Sequence, residues 1–267
     1  MRPAILALWL LQVPALAQYD PEAPEPIARV RGEVVVYGAA FQGHREDFLG
    51  SLTEADIVVL VAAPGVDLDG EPGFVGSLRR VGARDVRWLH TKDRRAANGE
   101  VELLARLEDA RGVWFGGGRQ WNLVDSYQHT QVHRLVEAVL ARGGVVGGSS
   151  AGASIQADYM ARGNPLGNLD IMAEGYEEGL GLLTGVAVDQ HFSQRRRLPD
   201  LESLVARHPQ YLGIGIDEGA VLIVQGRVGE VLGSAVHFLQ RSEGEQVHHR
   251  LTGGQRFDLV QRAPLGK

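Results

Sequence analysis

A serine set among glycines at residues 143–154 is the strongest chemical signal in the sequence. The stretch reads GGVVGGSSAGAS, a short apolar run followed by a glycine turn and by small residues that can open a helix. The pattern G-x-S-x-G fits it in one register, with Ser150 at the centre. A nucleophile elbow needs this strand-turn-helix context, and its glycines let strand and helix approach closely. The pattern therefore predicts Ser150 as a nucleophile, although an ordinary glycine-rich turn with serine caps has the same letters.

A serine nucleophile needs a base and an acid that orients the base. Among nine histidines, His191 lies in the segment DQHFSQR, just past the strand-like residues 183–188, where a parallel sheet presents its site residues. For the acid, Asp217 and Glu218 end an apolar Gly/Ile run, GIGIDEG, where buried carboxylates need partners. We expect one of these two carboxylates to orient His191, unless the segment is a simple Asp-Glu-Gly turn.

The other histidines fit less well. His129 and His133 have the i, i+4 spacing of a metal pair but no H-E-x-x-H motif, which favours solvated helix positions and no metal site. His248 and His249 lie in a polar segment that is typical of a surface. His237 remains as the base of an alternative serine site.

Donors for an oxyanion are predicted at the end of another strand. The run WFGGGRQ ends in three glycines, and a glycine amide can approach a developing negative charge without steric cost. We assign the amides of Gly118 and Ala151 to this role, the second because it follows the nucleophile. Phosphate- and dinucleotide-binding glycine motifs are absent from the sequence, and no cofactor is implied.

These residues need a sheet to position them, and the chain alternates between strand-like and helix-like segments from Glu33 onward. Strands are predicted from apolar, β-branched runs at residues 34–37, 57–61, 86–89, 113–115, 145–146 and 186–188. Helices are predicted from the 3.6-residue period at residues 74–81, 101–107 and 132–140. Such alternation predicts an α/β fold, with a mostly parallel sheet and helices on both faces.

The chain changes character after Gly213. Apolar runs at residues 220–224, 228–232 and 235–239 are separated by glycine turns. This pattern predicts C-terminal antiparallel β-hairpins.

Length and composition limit the possible classes of protein. With 267 residues and 44% hydrophobic content, the chain can bury the core of one large domain, which we place at residues 31–267. There is no cysteine, so thiolate chemistry and disulfides are excluded. The formal net charge of −6 argues against nucleic acid or an anionic membrane as partner.

The first residues differ from the rest. Residues 1–17 contain Arg2, an apolar run and an A-x-A site at 15–17, as in a signal peptide, and the run is too short for a permanent membrane anchor. Residues 18–30 are proline-rich and read as a linker. The sequence thus predicts a secreted or periplasmic protein without a stable membrane span after cleavage.

Four motifs, in order, resemble peptidase family S51, which includes cyanophycinases and aspartyl dipeptidases. They are F-G-G-G-x-Q at residues 115–120, G-x-S-A-G-A at 148–153, DQHFSQR at 189–195 and GIGIDE at 213–218. The resemblance covers most of the chain from Glu33 to Glu218. It implies a fold similar to class I glutamine amidotransferases and flavodoxin, a triad of Ser150, His191 and Glu218, and a possible homodimer. Asp170 is the alternative acid.

The resemblance also implies substrate-binding residues, which are Gln120, Asp189, Gln190, Arg195 and Arg197. Arginine binds carboxylates in a bidentate manner, and cyanophycin is a poly-aspartate chain that carries arginine, so Asp189 would pair with a substrate cation. Three positions depart from the cyanophycinase pattern. Arg119 stands where an acidic residue is usual, Arg196 replaces a small residue, and Asp200 stands where a third arginine is expected.

Together these observations predict an exported, serine-type, exopeptidase-like hydrolase. Its expected substrates are aspartate-rich peptides, cyanophycin or β-Asp-Arg-type amides. Two alternatives stay open: an α/β-hydrolase-type esterase that uses His237, and a non-catalytic binding protein on an amidotransferase-like scaffold.

Overall fold

The computed structural model describes residues 33–37, 52, 57–63, 68, 70–80, 82–242 and 244–266. The predicted signal segment at 1–17 and the predicted linker at 18–30 lie outside these ranges. Within them, no helix has the length and apolar character to cross a bilayer.

Nine of the described strands form the larger sheet, and five of them run parallel. In spatial order the parallel strands are β1 (Glu33–Tyr37), β5 (Val145–Ser149), β4 (Ala110–Gly118), β2 (Ile57–Ala63) and β3 (Asp85–Leu89). Four antiparallel strands extend the sheet beyond β1, in the order β9 (Ala220–Gln225), β10 (Val228–Gly233), β13 (Arg256–Asp258) and β14 (Ala263–Leu265).

The other five strands in the described ranges form a smaller sheet. Their order is β12 (Glu245–Thr252), β11 (Ala235–Ser242), β8 (Leu212–Ile216), β7 (Leu183–Gln190) and β6 (Ala157–Met160). The pairs β6–β7 and β7–β8 are parallel, whereas β8–β11 and β11–β12 are antiparallel.

The predicted strands and the C-terminal hairpins are confirmed, but the expectation of one mostly parallel sheet holds for part of the molecule only. The short glycine turns after β9 and β11 can connect only antiparallel strands, because a connection between parallel strands needs a long crossover. The fold is therefore mixed α/β with two mixed sheets.

Seven helices accompany the strands in the described ranges. They are α1 (Gly73–Arg80), α2 (Arg94–Gly99), α3 (Val101–Glu108), α4 (Gln120–Tyr127), α5 (Gln131–Ala141), α6 (Ala151–Ser154) and α7 (Leu198–Arg207). The three helices predicted from the sequence correspond to α1, α3 and α5, with ends that differ by one residue.

Alternate side chains of β1 show that helices cover both faces of the larger sheet. Val34 and Val36 share a core cluster with buried residues of α3 and α5. Val35 belongs to a second cluster with Val75 and Leu78 of α1. Since neighbouring residues of a strand point to opposite faces, the two clusters lie on opposite sides of the sheet.

The short helix α6 lies where the two sheets meet. It packs against β4, β5 and β1 of the larger sheet and against β7 and β6 of the smaller one. The loop after β8 leads directly into β9, so the chain passes from the smaller sheet to the larger one at residues 217–219. Residues at the ends of β5, β7 and β8 therefore converge at this junction.

Candidate active site

Ser150 occupies a strained turn between β5 and α6. Its backbone angles are φ 56° and ψ −116°, in a region that L-residues rarely adopt. The neighbouring glycines make the turn possible. A Cβ atom on Gly148 would lie 2.2 Å from the carbonyl oxygen of Gly152, and one on Gly152 would lie 2.1 Å from that of Phe115. The turn therefore has the close strand-to-helix approach of a nucleophile elbow.

The structure brings Ser150, His191 and Glu218 together. Ser150 Oγ lies 3.1 Å from His191 Nε2. On the other side of the imidazole ring, Nδ1 lies 2.6 Å from Glu218 Oε1. Both distances are within hydrogen-bond reach, so the three groups can relay a proton from the hydroxyl to the imidazole while the carboxylate fixes the ring.

The surroundings of His191 favour the neutral form of its imidazole. Burial lowers the pKa of its imidazole below the ordinary value of 6.5, and the charges of Arg195 and Arg197 act in the same direction. The hydrogen bond and the charge of Glu218 oppose this shift. A histidine that is neutral at pH 7 can accept a proton from a serine.

The loop after β7 is fastened to the end of β8 by three hydrogen bonds. The Phe192 amide donates to Ile216 O over 3.1 Å. The Ser193 amide donates to Asp217 Oδ1 over 2.8 Å, and the Glu218 amide donates to the Gln194 side-chain oxygen over 3.0 Å. These bonds fix the position of His191 relative to Glu218. Asp217 binds the backbone of the loop, and Glu218 is the carboxylate that contacts His191.

The glycine run at the end of β4 lies beside Ser150. A Cβ atom on Gly117 would lie 3.6 Å from the Cβ of Ser150, and Gly118 has a φ of 147° that favours glycine. Ala151 is the first residue of α6, so its amide has no acceptor within the helix. Both predicted oxyanion donors, Gly118 and Ala151, thus belong to segments adjoining the nucleophile.

A largely buried ion network includes residues on both sides of His191 in the chain. Asp189 is fully buried and accepts bonds from Arg162 Nε at 3.0 Å and from Arg197 Nη1 at 2.7 Å. Arg162 also donates to Asp200 Oδ2 over 2.7 Å. Two cations and two carboxylates satisfy one another here. Asp189 therefore has protein partners in place of the substrate cation expected from the sequence.

Of the five predicted substrate binders, Arg195 alone is exposed. Gln120 is buried, and its amide donates to Ala161 O over 2.8 Å. Gln190 is buried as well, with no hydrogen-bond partner for its side-chain oxygen. Arg197 is buried and donates hydrogen bonds to the Asp189 carboxylate and to Gln190 O. Sequence chemistry identified polar groups near the site but could not distinguish buried groups from accessible ones.

The alternative acid and base have other partners. Asp170 is exposed and accepts a bond from Asn164. His237 Nε2 lies 3.3 Å from Ser193 Oγ, and its Nδ1 lies 2.9 Å from His248 Nε2. Neither residue is brought to the Ser150 hydroxyl, so the geometry gives no support to the esterase alternative.

The expectation of two solvated helix histidines is wrong for His133. This residue is buried, and its Nε2 lies 2.9 Å from Leu180 O. His129 precedes α5 and pairs with Glu178 at the surface. Within the described ranges, no group of three or more His, Asp or Glu side chains is placed to hold a metal ion.

Sequence reasoning missed Arg162. It stands in an Ala-Arg-Gly context without any motif, and its φ of 61° and its partners are visible only in three dimensions. Ser193 and Gln194 lie inside the DQHFSQR motif, so its length was a signal that more than the histidine matters.

Comparison with known proteins places the chain in a family. The model of peptidase family S51 matches residues 74–232. The cyanophycinase of Trichormus variabilis (strain ATCC 29413 / PCC 7937) is 30% identical over 287 aligned residues, which cover 95% of this chain and 94% of that protein. The cyanophycinase of Synechococcus elongatus is 38% identical over 157 residues, covering 55% of this chain and 48% of that protein.

Two solved structures share the fold. A peptidase from an acI-B1 Actinobacterium superposes with a TM-score of 0.66 at 21% identity, covering 85% of this chain and 96% of that one. A putative peptidase E protein from Listeria monocytogenes EGD-e gives a TM-score of 0.52 at 14% identity, covering 82% and 98%.

Proposed function

This chain belongs to peptidase family S51 and is a serine-type peptidase, and we propose that it hydrolyses amide bonds in aspartate-rich peptides with Ser150, His191 and Glu218 as its triad. The continuous contact from the serine hydroxyl through the imidazole to the carboxylate carries the proposal. The names of its relatives make cyanophycin the first substrate to test, and β-aspartyl-arginine follows from the resemblance described in the sequence analysis.

The proposed reaction is an acyl transfer in two halves. His191 Nε2 takes the proton of Ser150, and the oxygen attacks the amide carbonyl carbon. The Gly118 and Ala151 amides donate to the oxyanion of the tetrahedral intermediate. The imidazolium then gives its proton to the leaving amine, and the C–N bond breaks.

The second half returns the enzyme to its starting state. Water attacks the acyl-serine ester while His191 accepts a proton from that water. The ester bond breaks, the proton passes back to the Ser150 oxygen, and the acid product leaves. Glu218 stays ionised throughout and stabilises the imidazolium in both halves.

Replacement of the nucleophile tests the proposal. We expect Ser150→Ala to lower kcat by at least about 10³-fold on any substrate that the wild type cleaves, because the attacking oxygen is lost. Ser149→Ala is the matched control, since this neighbouring serine is one residue away from the elbow position, and it should retain activity. Hydrolysis of cyanophycin, β-Asp-Arg and α-aspartyl dipeptides is followed for both variants.

Full activity of Ser150→Ala would exclude the mechanism. A serine-directed fluorophosphonate probe gives an independent readout. Labelling that is lost in Ser150→Ala supports a nucleophilic serine, whereas a folded wild type that resists the probe supports the non-catalytic binding protein instead.

We also propose that the chain is exported, on the basis of the signal-like residues 1–17. Fractionation of producing cells, with the N-terminus of the product sequenced, tests this. A mature N-terminus at Gln18 in the periplasm or medium supports export, and an intact product retained in the cytoplasm contradicts it.

A further inference from the structure

Three exposed arginines lie on the two loops that carry the proposed oxyanion donor and the base, a region that we call the entrance to the site. Arg119 directly follows Gly118, and Arg195 and Arg196 follow His191 in the next loop. The Arg195 amide donates to His191 O over 3.0 Å, so this arginine is held one turn from the base. In the described part of the chain, none of the three guanidinium groups has a carboxylate partner.

The carboxylates near the base are all engaged. Glu218 is bonded to His191, and Asp217 accepts from the Ser193 amide. Asp189 is enclosed by Arg162 and Arg197. Among the residues that the structure describes, a substrate cation would find no unpaired carboxylate beside the nucleophile.

Asp200 balances the charges of the ion network around Asp189. Its side chain is half exposed and supplies the second carboxylate of the network, so that the two buried arginines are balanced by two acids. The network therefore contributes no net charge toward the entrance. Beside it, Arg119, Arg195 and Arg196 outnumber the carboxylates of Glu218 and Asp217 by three charges to two, because bonds to a neutral imidazole and a backbone amide cancel no charge. The net charge at the entrance is therefore positive.

We propose that the site selects amide substrates whose leaving residue carries a side-chain carboxylate and discriminates against those whose leaving residue carries a guanidinium. This inference rests on the proposed peptidase function and specifies its substrate class. Arg119 and Arg195 are the specificity-determining residues, because they adjoin the proposed oxyanion donor and the base. Arginine binds carboxylates through paired hydrogen bonds, and like charges placed together disfavour a wrong partner.

Two dipeptides with the same acyl group and opposite leaving groups test the proposal. β-Aspartyl-glutamate and β-aspartyl-arginine present the same amide, but the first carries an added carboxylate and the second a guanidinium. We expect wild-type kcat/KM to be about tenfold higher for the glutamate dipeptide at low salt. The ratio should shrink in about 0.5 M NaCl, since salt screens exposed charges.

Charge reversal assigns the effect to residues. Arg195→Glu and Arg119→Glu should each move the ratio toward β-aspartyl-arginine. Arg134→Glu, on the exposed side of α5, changes net charge equally and should leave the ratio unchanged. Equal hydrolysis of the two dipeptides, preference for the arginine dipeptide, or a ratio that neither entrance variant moves would overturn the proposal.

Binding to an inactive variant separates this inference from the proposed function. Calorimetric titration of Ser150→Ala with each dipeptide measures the charge preference without any chemistry. Tighter binding of the glutamate dipeptide supports the inference even if the triad is misassigned. Tighter binding of the arginine dipeptide contradicts it even if Ser150 proves to be the nucleophile.

Discussion

At the scale of single residues, the site depends on a balance of charges around one imidazole. Burial and two nearby arginines lower the pKa of His191, and Glu218 raises it. Because the neutral imidazole is the form that accepts a proton, this balance sets the lower pH limit of activity.

We predict that wild-type kcat/KM is at its plateau at pH 7 and falls on acidification, with a midpoint below 6.5. Glu218→Gln should lower kcat by about 10³- to 10⁴-fold, as loss of the orienting carboxylate does in serine triads, and should move the midpoint to lower pH. Arg195→Gln should move the midpoint to higher pH, since a cation that disfavours the imidazolium is removed.

Profiles of kcat/KM against pH for the three proteins check these directions. A midpoint above 6.5 in the wild type, or a Glu218→Gln midpoint that rises, would contradict the assignment of His191 as the base.

Motifs in the sequence revealed some of these residues and not others. Ser150 and His191 lie in local sequence patterns that chemistry requires at a nucleophile and at a strand end. The sequence therefore predicts both as site residues. Asp189 is predicted to pair with a substrate cation, but the structure pairs it with Arg162, which is distant in the chain and lies in no motif. The sequence shows which side chains are charged, whereas the burial and the ion-pair partners of those side chains depend on the whole fold.

At the scale of elements, the elbow depends on glycines that have no room for a side chain. Gly148 and Gly152 face each other across the turn, and Gly152 also faces the backbone of Phe115 in β4. Contacts with backbone atoms cannot be relieved by a side-chain rotation, so β4, β5 and α6 would have to move apart.

We predict that Gly152→Ala destabilises the protein by about 2 kcal/mol or more, through overpacking against β4. Gly99→Ala is the control, because a Cβ atom there meets nothing within 4 Å and alanine favours the helix α2. Thermal or urea unfolding of both variants gives the comparison. Equal stability of Gly152→Ala and the wild type would show that the close approach is not maintained in solution.

Local pattern predicted the elements better than their pairing. The β-branched run of β9 predicts a strand. It does not predict that this strand pairs with β1, which lies near the other end of the chain. The same applies to β6, β7 and β8, whose assembly into a second sheet depends on contacts between distant segments. Strand formation is signalled by adjacent residues, while sheet order is decided by packing of the whole core.

At the scale of the whole molecule, three histidines with lowered pKa values link stability to pH. His191, His237 and His248 each have a pKa lowered from 6.5, with burial as the main cause. The unfolded chain therefore binds protons near pH 6.5 that the folded chain does not. Stability is full above this pH and is lost as the pH falls from about 6.5 through the folded pKa values.

We predict that the melting temperature falls between pH 7.5 and 5.5, and that His237→Gln reduces this slope. His237 is the most informative choice because it is buried and lies outside the proposed triad. His129→Gln, which replaces an exposed histidine, serves as control and should keep the wild-type slope. An unchanged slope in His237→Gln would show that its protonation is not linked to unfolding.

The two sheets contribute separately to the site. Ser150 follows a strand of the larger sheet, His191 follows a strand of the smaller one, and Glu218 lies on the segment that connects them. A molecule in which either sheet had failed to dock would keep much of its secondary structure but would leave the serine without its base. Stoichiometric titration with a covalent serine reagent would then count the correctly assembled molecules in a preparation, which circular dichroism could not do.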